Sequence, residues 1–168
     1  MITIAQRKGG AGKTTLAAQL AIAWAKGGAR IALLDIDPQG SLAAWVRLRR
    51  ARLGDAAIGF EFAALPGWRA EQWIGDHARD AGFVIVDSPP HAETEARIAV
   101  RVAGLVLIPV QPSPLDLWAT EATSPNNAAG LVCTATLCDP VHCGIAAQCV
   151  AVLRPSATHI AVQRYTAA

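Results

Sequence analysis

Lys8-Gly9-Gly10-Ala11-Gly12-Lys13-Thr14-Thr15 is the stretch of this 168-residue chain that decides its fold. A short apolar run, 2–5, precedes it, and an alanine-rich segment with helical periodicity, 14–25, follows it. Glycines between a strand and a helix let backbone N–H groups converge on a phosphate, and the helix adds its positive N-terminal end. The stretch therefore predicts a phosphate-binding loop for ATP.

Each residue of this loop has an expected task. The residues predicted to bind the nucleotide are Gly9, Gly10, Ala11, Gly12, Lys13, Thr14 and Thr15. Lys13 is expected to reach the β- and γ-phosphates, and Thr14 to place its hydroxyl on Mg²⁺. A glycine turn without a ligand does not need Gly-Lys-Thr in this order, so we favour the functional interpretation.

Apolar runs alternate with helical segments along most of the chain. Strands are predicted at 2–5, 30–35, 58–65, 83–87 and 105–110, and helices at 14–25, 42–52, 68–81, 93–103 and from 114. Strands that are apolar throughout are typical of a parallel sheet covered on both faces. The pattern predicts an α/β fold of the P-loop NTPase class, with a mainly parallel sheet flanked by helices on both faces.

Three carboxylates follow predicted strands. Asp35 and Asp37 come after the strand 30–35, and Asp87 ends the strand 83–87. The carboxyl ends of parallel strands form the edge at which nucleotides bind in such sheets. Asp87 is expected to hold magnesium directly or through water, and Asp35 to serve the magnesium shell or the loop lysine. Asp37 is a candidate for orienting or activating the attacking water, with a solvated Asp-Pro turn as its alternative.

Composition favours a cytoplasmic protein. The net charge is +2 and 17% of the residues are charged, which by itself indicates neither nucleic-acid nor membrane binding. The sequence has no signal peptide pattern and no run of eighteen apolar residues, so we expect no membrane association.

The character of the sequence changes near residue 123. Only three charged residues, Asp139, Arg154 and Arg164, lie in 124–168, against twenty-five in 1–123. We therefore predict a nucleotide-binding core over 1–123 and an atypical tail over 124–168, with strands near 130–132 and 149–153. A reading frame that shifts at this point explains the tail, and a divergent natural C-terminus is the alternative.

Two features outside the loop leave alternatives open. The four cysteines, at 133, 138, 143 and 149, all lie in the tail, where wide spacing favours ordinary thiols over a zinc site. The basic cluster of Arg47, Arg49, Arg50 and Arg52 has two interpretations. These arginines either contact DNA phosphates or form a solvated helix face.

The loop departs from the strict P-loop pattern in a way that points to one family. Arg7 stands where the first glycine is expected, and Lys8 gives K-G-G-x-G-K-T. Together with D-x-D-P-Q at 35–39 and P-S-P-x-D at 112–116, this resembles the deviant Walker A ATPases of the ParA/MinD type, over about 1–122. The resemblance implies that Lys8, with Lys13 and Asp37, acts in catalysis, Lys8 by reaching across a dimer interface to the partner's nucleotide.

The small ParA-type, ParF-like partition proteins are the members that the sequence most resembles. The resemblance implies a homodimer formed with ATP and Mg²⁺, slow ATP hydrolysis, and stimulation by a ParB-like adaptor with a basic segment. It also implies a role in plasmid or chromosome partition or in positioning cellular cargo, with nucleoid association if DNA is bound. The alternative is a nucleotide-binding module with little turnover, because the tail lacks the family's adenine-pocket strand.

Overall fold

The computed structural model describes residues 1–55, 58–90 and 94–110, together with the backbone of two later strands. The four helices of these residues are α1 (Lys13–Lys26), α2 (Ser41–Leu53), α3 (Gly67–His77) and α4 (Thr94–Arg101). The seven strands are β1 (Ile2–Ile4), β2 (Ile31–Asp35), β3 (Glu61–Ala64), β4 (Phe83–Asp87), β5 (Leu105–Val110), β6 (Leu131–Thr136) and β7 (Gln148–Val152).

The strands form one seven-stranded sheet with the order β3-β2-β4-β1-β5-β6-β7. Every neighbouring pair from β3 to β6 is parallel, and β7 closes the far edge antiparallel to β6. The predicted parallel sheet is confirmed, and β6 and β7 confirm the strands expected near 130–132 and 149–153.

Helices cover both faces of the sheet because each central strand is apolar on both sides. On one face, Leu33 packs with Ala17 of α1 and Val46 of α2. On the other face, Leu34 packs with Ile74 of α3 and Ala99 of α4. Successive residues of a strand point to opposite faces, so one strand such as β2 supplies both cores.

Several predicted elements are longer than the observed ones: α4 spans Thr94–Arg101 of the predicted helix 93–103, and the differences are largest for β3 and α3. β3 spans only Glu61–Ala64 of the predicted strand 58–65. α3 ends at His77 instead of residue 81, and a turn follows in which the His77 carbonyl accepts the Asp80 N–H at 3.2 Å and the Ala81 N–H at 2.9 Å. The Gly82 N–H then donates to the Arg30 carbonyl at 2.8 Å, which aligns β4 beside β2.

Part of the sequence-based prediction lies outside the described residues. The helix expected from residue 114 and the boundary at 123–124 both fall within 111–130, so the two-part division of the chain stays a prediction. Among the described residues, no helix is long and apolar enough to cross a bilayer.

Candidate functional site

Three strand ends bring the predicted site together at one edge of the sheet. In the register of the sheet, Asp87 lies opposite Ile4 of β1 on one side and opposite Asp35 of β2 on the other. The chain leaves β1 just after Ile4 and enters the glycine-rich loop within a few residues. The loop and the two carboxylates therefore meet at the carboxyl ends of neighbouring parallel strands, as predicted.

The loop adopts a backbone that glycine favours. Gly10 and Gly12 have φ angles of +72° and +86°, in the left-handed region that side chains disfavour. α1 begins directly after Gly12, at Lys13, and no side chain caps its first turn. Its first N–H groups therefore face the loop without an intrahelical partner, which is the arrangement that binds an anion.

Lys13 is a buried cation at the start of α1. Its side chain and backbone together are only 7% exposed. Burial lowers the pKa of Lys13, and the negative charges of Asp87 and Asp37 oppose that shift. The ammonium group thus lies within electrostatic reach of both carboxylates, in surroundings where an added negative charge stabilises it.

Asp87 is a buried carboxylate without a hydrogen bond of ordinary geometry. The residue is 1% exposed, and among the described residues both carboxylate oxygens are buried and unpartnered. Burial raises the pKa of Asp87 to about 7, and the negative charges of Asp35 and Asp37 add to the shift. The Thr14 hydroxyl and the Lys13 ammonium oppose it, so both groups lie beside this carboxylate.

Asp35 is buried too, but its oxygens are engaged. One accepts the Asp37 N–H at 3.0 Å, and the other accepts the N–H of Ala43 at 3.0 Å. Burial raises the pKa of Asp35, and these backbone hydrogen bonds oppose the shift. Asp35 therefore caps the first turn of α2 from the end of the preceding strand, a role that its sequence context does not reveal.

Asp37 begins the turn between β2 and α2. It is half-buried, and its Oδ1 accepts the Gln39 N–H at 2.9 Å while its carbonyl accepts the Gly40 N–H at 2.9 Å. Its charge acts on Lys13 and Asp87, so the structure brings Asp37 to the same site. Lys8 is exposed at the other end of the glycine-rich loop.

Ser88 ties the site's two central strands together. Its buried hydroxyl donates to the Ile4 carbonyl at 2.8 Å, across the point where β1 leads into the loop. The signal for this role is weak in the sequence: a hydroxyl residue directly follows the apolar strand β4. Ser88 therefore helps hold the loop's entry against Asp87.

A metal at this site would need few protein ligands. Within the described part of the chain, no three His, Cys, Asp or Glu side chains are grouped to hold a metal ion. Mg²⁺ is commonly held by one or two carboxylates together with waters and substrate phosphates. Asp87 and Thr14 provide the hard oxygen donors of such a site, and the unpartnered oxygens of Asp87 fit a cation. The cysteine side chains lie outside the described residues.

A second concave region lies away from these residues. A cavity of about 460 Å³ opens between the first residues of β2 and β3 and the end of α3. Arg30, Glu61, His77 and Asp80 are among its lining residues, and none of the predicted site residues is. The cavity is at the opposite edge of the sheet from the phosphate loop, so it does not belong to the predicted site.

Comparisons with known proteins agree with this geometry. The model of the CobQ/CobB/MinD/ParA nucleotide binding domain matches residues 2–151. Maintenance of carboxysome distribution protein A from Gloeobacter kilaueensis is 38% identical over 121 residues, which cover 70% of this chain and 51% of that protein. Chromosome partitioning protein ParA from Caulobacter vibrioides is 41% identical over 150 residues, with 66% of this chain and 55% of that protein covered.

The same fold occurs in solved structures. Cobyrinic acid a,c-diamide synthase from Mycobacterium smegmatis, solved with a bound ATP analog and magnesium, superposes with a TM-score of 0.63 at 20% identity. The superposition covers 80% of this chain and 73% of that one, and at this identity it shows the fold alone. The chain spans about half the length of the curated relatives it matches.

Proposed function

The chain belongs to the CobQ/CobB/MinD/ParA family of nucleotide-binding domains, and from this premise we propose that it is an ATPase of the ParA type. It binds Mg-ATP, dimerises when ATP is bound, and hydrolyses ATP slowly until a partner stimulates it. The observation that carries the proposal is the buried Asp87 carboxylate, which has no ordinary hydrogen bond and lies beside Thr14 and Lys13. A buried carboxylate without a hydrogen bond destabilises the fold unless a bound cation neutralises its charge.

Magnesium is the cation that the donor set fits. Asp87 holds the ion directly or through water, the Thr14 hydroxyl is a second ligand, and the phosphates of ATP supply others. Asp35 belongs to the shell around this site and keeps the turn 36–40 in place through its two backbone hydrogen bonds. When bound, the ion neutralises the charge that develops on the phosphates.

The phosphates bind to the loop and to Lys13. The left-handed Gly10 and Gly12 turn the backbone so that successive N–H groups face the nucleotide, and the uncapped start of α1 adds its dipole. Lys13 reaches the β- and γ-phosphates, whose negative charge offsets the burial of its ammonium group. Binding thus relieves the electrostatic cost that burial imposes on both Lys13 and Asp87.

Hydrolysis depends on Asp37 and on a second subunit. Asp37 lies at the half-buried margin of the site and orients or activates the attacking water. Lys8, exposed at the start of the loop, contacts the nucleotide held by the partner subunit, as the family resemblance implies. Transfer of the γ-phosphoryl group to water then requires positioning and charge stabilisation, with no covalent intermediate.

The cellular task that we propose is the positioning of cargo. One relative is named for carboxysome distribution and another for chromosome partitioning. We infer that the cargo of this protein is a plasmid, a chromosome region or a protein assembly. A ParB-like adaptor with a basic segment stimulates hydrolysis, and the protein works in the cytoplasm without a membrane partner. DNA contact by the arginines of α2 stays an open alternative to a solvated helix face and is not part of this proposal.

A phosphate-release assay with ATP and Mg²⁺ tests the enzyme proposal. Lys13→Ala and Asp37→Ala are expected to lower the rate to background, because one removes the phosphate contact and the other the water's orienting group. Lys26→Ala and Asp80→Ala remove the same charges at exposed sites away from the loop and are expected to keep the wild-type rate. Equal rates in all five proteins would sink the enzyme proposal and leave a binding module without turnover.

A further inference from the structure

The helix α2 has an exposed basic face with an apolar centre. Arg47, Leu48, Ala51 and Arg52 are all exposed and share one side of the helix at i, i+1, i+4 and i+5 spacing. This set is called the α2 face below. Leu48 lies between the two arginines and is 64% exposed, more than any other leucine among the described residues. An exposed leucine flanked by two arginines is a feature that the nucleotide site does not use.

The opposite side of α2 is firmly packed. Leu42 and Val46 are buried at 0% and 1% exposure, and the Trp45 ring stacks on Phe60 with centroids 6.2 Å apart. These contacts fix the rotation of the helix about its axis. The α2 face therefore points away from the core, and Leu48 cannot turn inward without unpacking Val46 and Trp45.

The charge of α2 has only one sign. The helix carries four arginines and no acidic residue, and the ion pair of α2 within the described residues joins Arg50 to Asp55 at 3.4 Å. Basic residues at the end of a helix stabilise its dipole, which accounts for Arg50 and Arg52 in the last turn. That effect fades within one turn, so it does not account for Arg47 or for the exposure of Leu48.

We propose that the α2 face docks an acidic amphipathic helix of a partner protein. Glutamate or aspartate side chains of the partner pair with Arg47 and Arg52, while its apolar residues cover Leu48 and Ala51. Interfaces between proteins commonly have an apolar centre and a polar rim, which is the pattern seen here. A partner helix that lies on the α2 face would contact it with the side chains at positions i, i+3, i+4 and i+7 of the partner's own sequence.

The apolar centre favours a protein partner over a nucleic acid. DNA phosphates would engage the arginines, but the exposed leucine would then face the phosphate backbone without an apolar group to bury it. The basic adaptor proposed above does not fit this surface either, because its charge has the same sign. The α2 face includes none of the residues proposed to bind ATP, so the inference does not depend on hydrolysis.

Fluorescence anisotropy with a designed peptide tests the proposal. The probe is a labelled helical peptide of about five turns, with leucines at i, i+3, i+4 and i+7 and glutamates beside them. Its control is a scrambled peptide of the same composition, and duplex DNA and anionic phosphatidylglycerol vesicles serve as competing probes. All are measured against the full chain without nucleotide, and again with Lys13→Ala, so that a failure of ATP binding cannot be mistaken for a failure of docking.

The patterned peptide is expected to bind the wild type about tenfold more tightly than the scrambled one. Leu48→Ala, and separately the double change Arg47→Gln with Arg52→Gln, should each weaken it by about tenfold. Val102→Ala and Arg79→Gln remove an exposed apolar group and an exposed cation elsewhere and should leave binding unchanged. Absent binding, equal binding of both peptides, or DNA or vesicle binding without peptide binding would overturn the proposal.

Discussion

Replacing Asp87 with asparagine is expected to stabilise the nucleotide-free protein at neutral and alkaline pH. The raised pKa, about 7 against an ordinary value of 3.8, means that the folded chain resists the ionisation of this side chain. Because one pH unit of difference corresponds to 1.36 kcal/mol, the ionised carboxylate destabilises the fold by about 4 kcal/mol above pH 7. That pKa already includes the attraction to Lys13 and the contact with the Thr14 hydroxyl, so replacing the carboxyl with a neutral amide should recover up to about 4 kcal/mol.

The pH dependence gives the sign of the effect. Below the pKa of the unfolded chain, near pH 4, Asp87 is protonated in both states and the carboxyl costs nothing. As the pH rises from 4 to 7 the unfolded chain loses its proton first, so the wild type loses stability through this window. The difference between Asp87→Asn and wild type should therefore be small at pH 4, grow up to pH 7 and stay constant above it.

Urea unfolding without nucleotide or magnesium, at several pH values between 5 and 8, measures this difference. Asp35→Asn is the matched control, because Asp35 is equally buried but accepts N–H groups with both oxygens. Its amide nitrogen would face one of those donors, so this variant should be less stable than Asp87→Asn, by about 1–3 kcal/mol. An Asp87→Asn protein no more stable than wild type at pH 8, or a difference that does not change with pH, would refute the reasoning.

Three further outcomes are expected. Gly10→Ala should lower the free energy of unfolding by about 1–2 kcal/mol, because Gly10 has a φ of +72°. Gly9→Ala should leave the free energy of unfolding unchanged, because Gly9 has equally open space around it and no left-handed backbone. Chemical denaturation without nucleotide measures both variants, and equal losses would contradict the prediction. Val46→Ala should lower the free energy of unfolding by about 2–3 kcal/mol, because Val46 is buried, and Leu48→Ala should lower it by less than about 0.5 kcal/mol, because Leu48 is exposed. Thermal unfolding measures both losses, and similar values would mean that α2 is packed differently. Sequencing the locus should reveal, in a shifted frame after codon 123, a segment that resembles the ParA family; if no frame encodes one, the frameshift hypothesis fails.

The central strands could be predicted from the sequence because their signal is local. The run 83–87 is apolar from its first residue and ends at an aspartate, and β4 has those bounds. β5 also has its predicted bounds, 105–110. The edge strand β3 was predicted too long, since residues 58–60 look equally apolar and only the pairing with β2 decides where the ladder begins. The phosphate loop was predictable from its glycines, and the left-handed backbone of Gly10 and Gly12 agrees with that prediction.

The different roles of Asp35 and Asp87 could not be predicted from the sequence. Asp35 and Asp87 both end apolar strands, and their sequence contexts predict similar roles. The structure separates them: Asp35 is held by the N–H groups of Asp37 and Ala43, while Asp87 has no such bond. The difference arises because the turn 36–40 folds the start of α2 back over the end of β2, so that the Ala43 N–H, eight residues further along the chain, reaches Asp35. Trp45 stacking on Phe60 and the outward position of Leu48 follow from the same arrangement.

The magnesium dependence of nucleotide binding tests most directly the claim that Asp87 and Thr14 hold the metal of Mg-ATP. A fluorescent ATP analogue is titrated into wild type, Asp87→Asn and the exposed control Asp80→Asn, each with Mg²⁺ and with a chelator. Magnesium should strengthen binding to wild type and Asp80→Asn by about tenfold or more and should leave binding to Asp87→Asn nearly unchanged. An Asp87→Asn protein that gains as much affinity from magnesium as the wild type would contradict the account.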